Sequence, residues 1–512
     1  MSNVTDFDCN PLDNDPIRDG SGYLFGLAAI TAGMLTRSLC RLIPTSFFCP
    51  PYTVMMFVVG MLFERWSDAL PVALSTSMDD WKHTHPHFIL FVLVPPLLFE
   101  SSFNVEWGAF RTQITSSMVL AGPGVLFCTG ATAFCIYPVI TAFNGAFTYE
   151  FAFLLAAIVT ATDPVAVVGV LRDLGAPARL SMLVEGESLL NDGSAVMLFL
   201  VFKELVEDPD KDHTDLTAMG IAQEFAGVSG GALIWGLGVG YVTYLWMRAF
   251  DDTTVDITSL IIGVFITFYV AEHVMHVSGI LALVVYGLFL ARNKGFAMDH
   301  HEIEENAGVW EEAAFLSNTF IFVLAGLIIS DRVSNNTSFD ETASEAGVYD
   351  YMFTSVLLYV ITSFVRITML AAGFPLLHYL GYGLTMKEAT MMSFSGLRGA
   401  ISLALALLIE QSTLVGRSLC STGTEDCAEA REMRDIILIQ TAGVVSLSLL
   451  INGSLAGVLY KALHVYAVNP SMEVIQNLAM QKLAIVSLPL LTHPPTHPPR
   501  HISRWLRFVA AP

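Results

Sequence analysis

The sequence predicts an all-α polytopic membrane protein with about 13 transmembrane helices. Three observations carry this. Of 512 residues, 54% are hydrophobic and only 14% charged, against roughly 25% charged in soluble domains; the mean hydropathy is +0.59. Apolar runs of about 20 residues recur along the chain. Four acids, Asp163, Glu185, Glu187 and Asp192, fall inside two neighbouring apolar runs. A carboxylate at mid-membrane depth costs roughly 2.5–3.5 kcal/mol on an insertion scale, so such acids mark function rather than filler. A net charge of −22 speaks against nucleic acid as a partner, and the hydropathy makes the lipid bilayer one.

Residues 1–22 are acidic and polar and read as an extracytoplasmic N-terminus. They lack the basic and apolar regions of a signal peptide, so the first span acts as an uncleaved signal. Spans are expected at roughly 23–43, 52–65, 86–103, 114–138, 150–171, 180–205, 220–249, 254–274, 278–292, 312–330, 350–379, 386–411 and 434–464, of which the second is short. With the N-terminus outside, the inside loops hold the larger share of Lys and Arg, including Arg37, Arg41, Arg172, Arg179, Arg292 and Lys294. The acidic loops 206–215 and 331–350 are then outside, as are N-x-[ST] sequons at Asn3, Asn335 and Asn336. The loop 293–311 is cytoplasmic.

Residues 23–465 form the transmembrane domain, and 466–512 a short cytoplasmic tail with no room for a folded cytosolic domain. The tail holds an amphipathic stretch at 471–488 and an unstructured THPPTHPPRH tract. The seven cysteines show no metal-ligand spacing. Cys40, Cys128 and Cys135 read as packing residues; Cys420 and Cys427 share one polar loop and can pair if it is extracytoplasmic. No cofactor is expected.

The chemistry concentrates in IVTATDPVAVVGV and LVEGESLLNDGSAVMLFLVF. Pro164 lacks an N–H, crowds the carbonyl of Thr160 and biases Asp163 away from helical angles. TATDP is therefore a break inside a membrane helix, tolerated only where it lines a cavity or is buried in protein. Exposed carbonyls, Asp163 and the hydroxyls of Thr160 and Thr162 can bind an ion there; a proline kink capped by Asp163 and Thr162 is the plainer alternative. In the next span Glu185, Ser188 and Asp192 share one helical face, and Glu187, Asn191 and Ser194 form a neighbouring stripe. A polar seam between helices would account for Asn and Ser, but buried acids require pairing or protonation. Much later, MMSFSGLRGAISLALALL sets Arg398 deep in apolar sequence between Gly396 and Gly399. That arginine must find a carboxylate or carbonyls, and the glycines loosen the helix and let another backbone approach. Interrupted fifth and twelfth spans occupy equivalent places in two six-helix units linked by the seventh, the pattern of a transporter binding site.

These stretches, TDPVAVV, EGESLLNDG and GLRGAISLALAL, with LVPPLLFESSFNVEW and MVLAGPGVL, resemble the signatures of monovalent cation:proton antiporters. The similarity is to the sodium/proton exchangers, on the branch of plant plasma-membrane salt-tolerance antiporters and sperm-type exchangers. The resemblance covers about residues 23–465. It implies a homodimer with an inverted-repeat fold, in which the helices bearing Asp163 and Arg398 cross. It implies that Asp192 binds sodium or a proton, with Asp163 helping to hold the sodium and Asn191 helping to shape the site; Thr162 and Ser188, read from the residues themselves, complete the expected ion-binding set. It also implies that Glu187 pairs with Arg398, that exchange is electroneutral, and that the protein serves pH and sodium homeostasis, most naturally in the plasma membrane. Many family members carry a long cytosolic regulatory region that the short tail does not provide.

A carboxylate suits this exchange because its oxygen is both a hard ligand and a base. If only Asp192 changes occupancy, one sodium exchanges for one proton. A potassium/proton exchanger is the nearest alternative. A cation channel wants a filter loop that the sequence does not show, and a hydrolase built on Ser188 or Ser395 lacks a histidine base in either span. Arg366 lies within the eleventh span with no partner visible in the sequence. Glu272, His273 and His276 read as a loop end.

Overall fold

The computed structural model describes residues 22–42, 51–82, 84, 86–143, 147–207, 218–250, 252–335, 344–379, 383–410 and 424–464. Among these residues there is no strand. The chain divides into a compact unit, Met1–Tyr460, and a second, Lys461–Pro512, of which residues 461–464 are described. The expected helix at 471–488, the tract after it, and Cys420 lie outside the described residues.

The first helices are α1 (Gly22–Leu42) and α2 (Tyr52–Arg65), followed by α3 (Val72–Lys82), which hydropathy did not predict. Its sequence mixes Ser, Asp and Lys with apolar residues, and it is held by charge. Lys82 lies 2.8 Å from Glu64, 3.0 Å from Asp79 and 3.1 Å from Asp331. α4 runs from Pro86–Phe88 through a π turn, Ile89–Leu93, into Val94–Phe103. α5 runs from Trp107–Val119 through a second π turn, Leu120–Gly124, into Val125–Phe143. Prolines explain both turns: Pro95 and Pro96 follow the first and Pro123 sits in the second, each removing a donor from the i→i−4 ladder.

Two half-helices come next, α6 (Tyr149–Thr160) and α7 (Val165–Asp173), then the unbroken α8 (Ala178–Glu207). α9 (Ala218–Ala249), α10 (Thr253–Tyr269 with a π turn at Val270–Val274) and α11 (Gly279–Ala297) follow. α12 is His300–Asn335 and α13 is Ser344–Tyr379. A second broken pair, α14 (Met386–Phe394) and α15 (Ala400–Glu410), precedes α16 (Thr424–Ser448 with a π turn at Leu449–Gly453) and α17 (Ser454–Leu463). Eight helices among the described residues are long and apolar enough to cross a membrane, and three more are shorter and apolar.

The expected loop 293–311 is instead mostly helical, interrupted only around Met298 and Asp299. Asn306 and Trp310 are buried there, one turn apart on one face of α12. Charge masked this amphipathic face from a reading based on long apolar runs.

Apolar packing separates centre from rim. Leu154–Val159 of α6, Ala195–Phe199 of α8 and Leu403–Leu407 of α15 are buried. Ile234 on α9 is 75% exposed and Phe364 on α13 is 68% exposed, so these faces suit lipid rather than water. With no hydrophobic drive between helices in lipid, close approach comes from small residues. A Cβ on Gly60 would overlap the Val323 carbonyl, and one on Gly326 the Phe57 carbonyl, so α2 and α12 touch backbone to backbone. Gly236 meets the Ala282 carbonyl in the same way, joining α9 to α11.

Candidate functional site

The two breaks lie against each other. Residues 161–164 leave the helical ladder after Thr160, as the proline at 164 requires, and residues 396–399 do so after Ser395. The Asp163 backbone N–H donates to the Leu397 carbonyl at 2.9 Å, and Ser402 Oγ donates to the Ala161 carbonyl at 3.4 Å. The extended segments thus pair as they pass, which satisfies polar backbone that lipid could not.

Four half-helix ends meet here, and each carries a partial charge of about half a unit. Asp163 occupies the positive ends. Its Oδ1 accepts from Val165 N–H, in the first turn of α7, at 3.0 Å, and its carboxylate also faces the Ala400 N–H that opens α15. Asn191 and Arg366 occupy the negative ends. Asn191 Nδ2 donates to the Thr160 carbonyl at 3.1 Å and to Thr162 Oγ1 at 2.8 Å. Arg366 Nε and Nη2 donate to the Met392 carbonyl at 3.2 and 3.0 Å.

α8 supplies the rest. Thr162 Oγ1 donates to Ser188 Oγ at 3.0 Å, and Ser188 in turn donates to the Thr162 carbonyl. Asp192 is 6% exposed and accepts from the Thr162 backbone N–H. Its Oδ1 and the neighbouring Asn191 Oδ1 are buried acceptors with no hydrogen-bond donor. Asp163, Thr162, Ser188, Asn191 and Asp192 therefore lie together at the crossing. Glu185, a helical turn before Ser188, is held apart by Arg172 at 2.9 Å.

The expected Glu187–Arg398 pair is not what forms. Glu187 takes Arg366 instead, with Nη1–Oε1 at 2.9 Å and Nη2–Oε2 at 3.0 Å, both residues buried. The reason is steric. Arg366 lies flat in the space that a Cβ on Gly396 would fill, which delivers its fork to Glu187 and to the end of α14 together. Arg398 turns elsewhere: its backbone N–H donates to Ser448 Oγ at 3.0 Å and its Nη1 to the Gly396 carbonyl at 3.2 Å. The glycines are thus needed for side chains rather than for an approaching backbone. Gly399 is matched to Asp163, whose carboxylate occupies the position of the missing Cβ. Gly399→Ala is expected to lift Asp163 off the two helix ends at a cost of about 1–3 kcal/mol, as overpacking does. A melting temperature of the purified protein equal to the parent's would contradict that.

Buried acids at the crossing of two interrupted helices place this chain among secondary transporters, whose ion sites are built in this way. Comparison gives the family. The family described as "Sodium/hydrogen exchanger, transmembrane" matches residues 34–479. The chain is 34% identical over 416 residues to "Sodium/hydrogen exchanger 8" of Arabidopsis thaliana, covering 79% of this chain and 51% of that protein. It is 31% identical over 447 residues to "Sodium/hydrogen exchanger 7" of the same plant, covering 86% and 36%. It is 28% identical to the "Low-affinity Na(+)/H(+) antiporter NhaS1" of Synechocystis sp., covering 85% and 74%. The chain belongs to the sodium/hydrogen exchanger family. It spans about half or less of the length of the two plant relatives. Its fold is similar to that of the sodium proton antiporter MjNhaP1 from Methanocaldococcus jannaschii, with a TM-score of 0.69 at 18% identity over 88% of this chain and 99% of that one.

Proposed function

We propose that this chain exchanges sodium for protons across a membrane, with Asp192 as the group that carries either ion. One observation carries the proposal. Asp192 presents a buried carboxylate oxygen with no donor, beside a second such oxygen on Asn191, at the crossing of the broken helices. A buried acceptor without a donor is costly; a sodium ion or a proton removes that cost, and the two cannot occupy the same oxygen together. The naming of the relatives as sodium/hydrogen exchangers and antiporters supports the choice of substrates.

Asp163 is already matched to two helix ends and Glu187 to Arg366. Only Asp192 is left to change occupancy, so the proposed stoichiometry is one sodium for one proton with no net charge moved. Asp163, Thr162, Ser188 and Asn191 shape the site around it. The resemblance extends the proposal to thirteen crossings, a homodimer, the plasma membrane and a role in pH and sodium homeostasis.

The test is exchange in proteoliposomes holding the purified chain and a pH dye. A sodium pulse is expected to alkalinise an acidic lumen, with no current on a supported membrane. Sodium flux that carries current and moves no protons would favour a channel. A response to potassium but not to sodium would move the proposal to potassium/proton exchange.

A further inference from the structure

The face of α8 that carries Asp192 changes character along its length. Ser181, Glu185, Ser188 and Asp192 stand at i, i+4, i+7 and i+11 on that face, and all four are buried. Ser181 Oγ is buried with no hydrogen-bond partner. Further along the same face, Ala195, Phe199, Phe202 and Val206 are buried and apolar. The Phe202 ring stacks on Phe153 with centroids 5.0 Å apart. Oxygen ligands therefore run from the N-terminal end of α8 to Asp192 and stop there. Along this face a sodium ion is led in from that end, because apolar surface offers no replacement for its water.

Glu185 stands on that approach. Two turns of helix, about 10 Å at 1.5 Å per residue, separate it from Asp192, too far for one ion to touch both. Arg172, in the last turn of α7, donates through Nη2 to Glu185 Oε2 at 2.9 Å. The pair straddles the protein surface: the arginine side chain is 54% exposed and the glutamate 9%. Pairs with an exposed member are weakly held. Glu187 differs, since its partner Arg366 is as buried as itself. The Arg172 guanidinium is in effect a cation on a tether, seated on the first carboxylate of the face.

We propose that Glu185 is a relay site where an incoming sodium ion pauses before it reaches Asp192, and that Arg172 occupies it as a tethered competitor until the ion arrives. Glu185 is thus a positioning residue: it concentrates the cation between Ser181 and Ser188 and leaves the exchange of ion for proton to Asp192. Once displaced, Arg172 turns into solvent, where more than half of its side chain already lies. The kinetic part of the proposal rests on the exchange role given to Asp192, while cation binding at Glu185 stands on the α8 face and the pair.

The first measurement is the sodium dependence of exchange by the full chain in proteoliposomes. Arg172→Gln is expected to lower the KM for sodium by up to about fivefold, the most that an exposed pair contributes, at unchanged maximal rate. Glu185→Gln is expected to raise the KM, again at unchanged maximal rate, and Arg172→Lys to keep the parent value. The second measurement needs no exchange. Ser181→Cys in the full chain, in detergent, is treated with a cationic or a neutral methanethiosulfonate, and modification of that position is read by peptide mass spectrometry. The cationic reagent is expected to react faster than the neutral one, and sodium to slow it. Adding Glu185→Gln is expected to remove both effects, and adding Arg172→Gln to strengthen them. A fall in maximal rate and melting temperature at unchanged KM would make the pair a brace between α7 and α8 and overturn the proposal. So would a KM indifferent to both substitutions, sodium protection that survives Glu185→Gln, or a position 181 that neither reagent reaches. Loss of the exchange reading would show differently: sodium pulses would move no protons through the wild type while sodium still protected position 181.

Discussion

Asp192→Asn is expected to reduce sodium-driven proton movement to the level of protein-free vesicles while leaving the chain folded. The amide keeps the shape of the carboxyl and can still accept from the Thr162 N–H. It cannot take on a proton at working pH, and as a neutral ligand it does not hold a cation against the low dielectric around it. The measurement is dye-reported exchange in proteoliposomes, paired with melting temperature and elution volume in detergent. Residual exchange above the protein-free level, from protein that elutes and melts as the parent does, would remove Asp192 from the role given to it here.

The breaks were legible because their residues have local consequences. Pro164 removes a donor and crowds a carbonyl wherever it sits in a helix, and the paired glycines around Arg398 announce an irregular segment. The positions of Ser188, Asn191 and Asp192 on adjoining stripes followed from helical spacing alone. What spacing could not give was the partner of Glu187. Arg366 lies 179 positions away on a helix that otherwise reads as lipid-facing, and its access depends on the missing side chain of Gly396. Arg398 was the more conspicuous choice because two glycines flank it in an apolar run and the resemblance assigned it to Glu187. The same limit hid α3, whose anchor is Lys82 among acids from α2, from α12 and from α3 itself rather than an apolar run.

Arg366→Ala is expected to be the most damaging single change outside the ion site. It leaves Glu187 as a buried charge with no partner and strips two donors from the Met392 carbonyl. Breaking one side of a buried pair costs about 3–5 kcal/mol, chiefly through the charge left behind. Thermal unfolding in detergent, followed by tryptophan fluorescence, is expected to show a large drop in midpoint. The double variant Glu187→Met, Arg366→Met is expected to recover most of it, because apolar replacement of both partners is often close to neutral. Arg398→Ala, which deprives no acid of its direct partner, is expected to lower the midpoint less. The reverse order of the two arginine variants would restore the pairing first read from the sequence.

The contact between the extended segments also constrains movement. The hydrogen bond from residue 163 to residue 397, and a carboxylate shared by the first turns of α7 and α15, fasten the two passing segments together. Sliding one past the other would surrender the 163–397 bond and the contact of the Asp163 carboxylate with the first turn of α15 together. The alternation that the proposed exchange requires is therefore cheapest when the fastened segments travel as a single rigid block, with the yielding surfaces at its periphery.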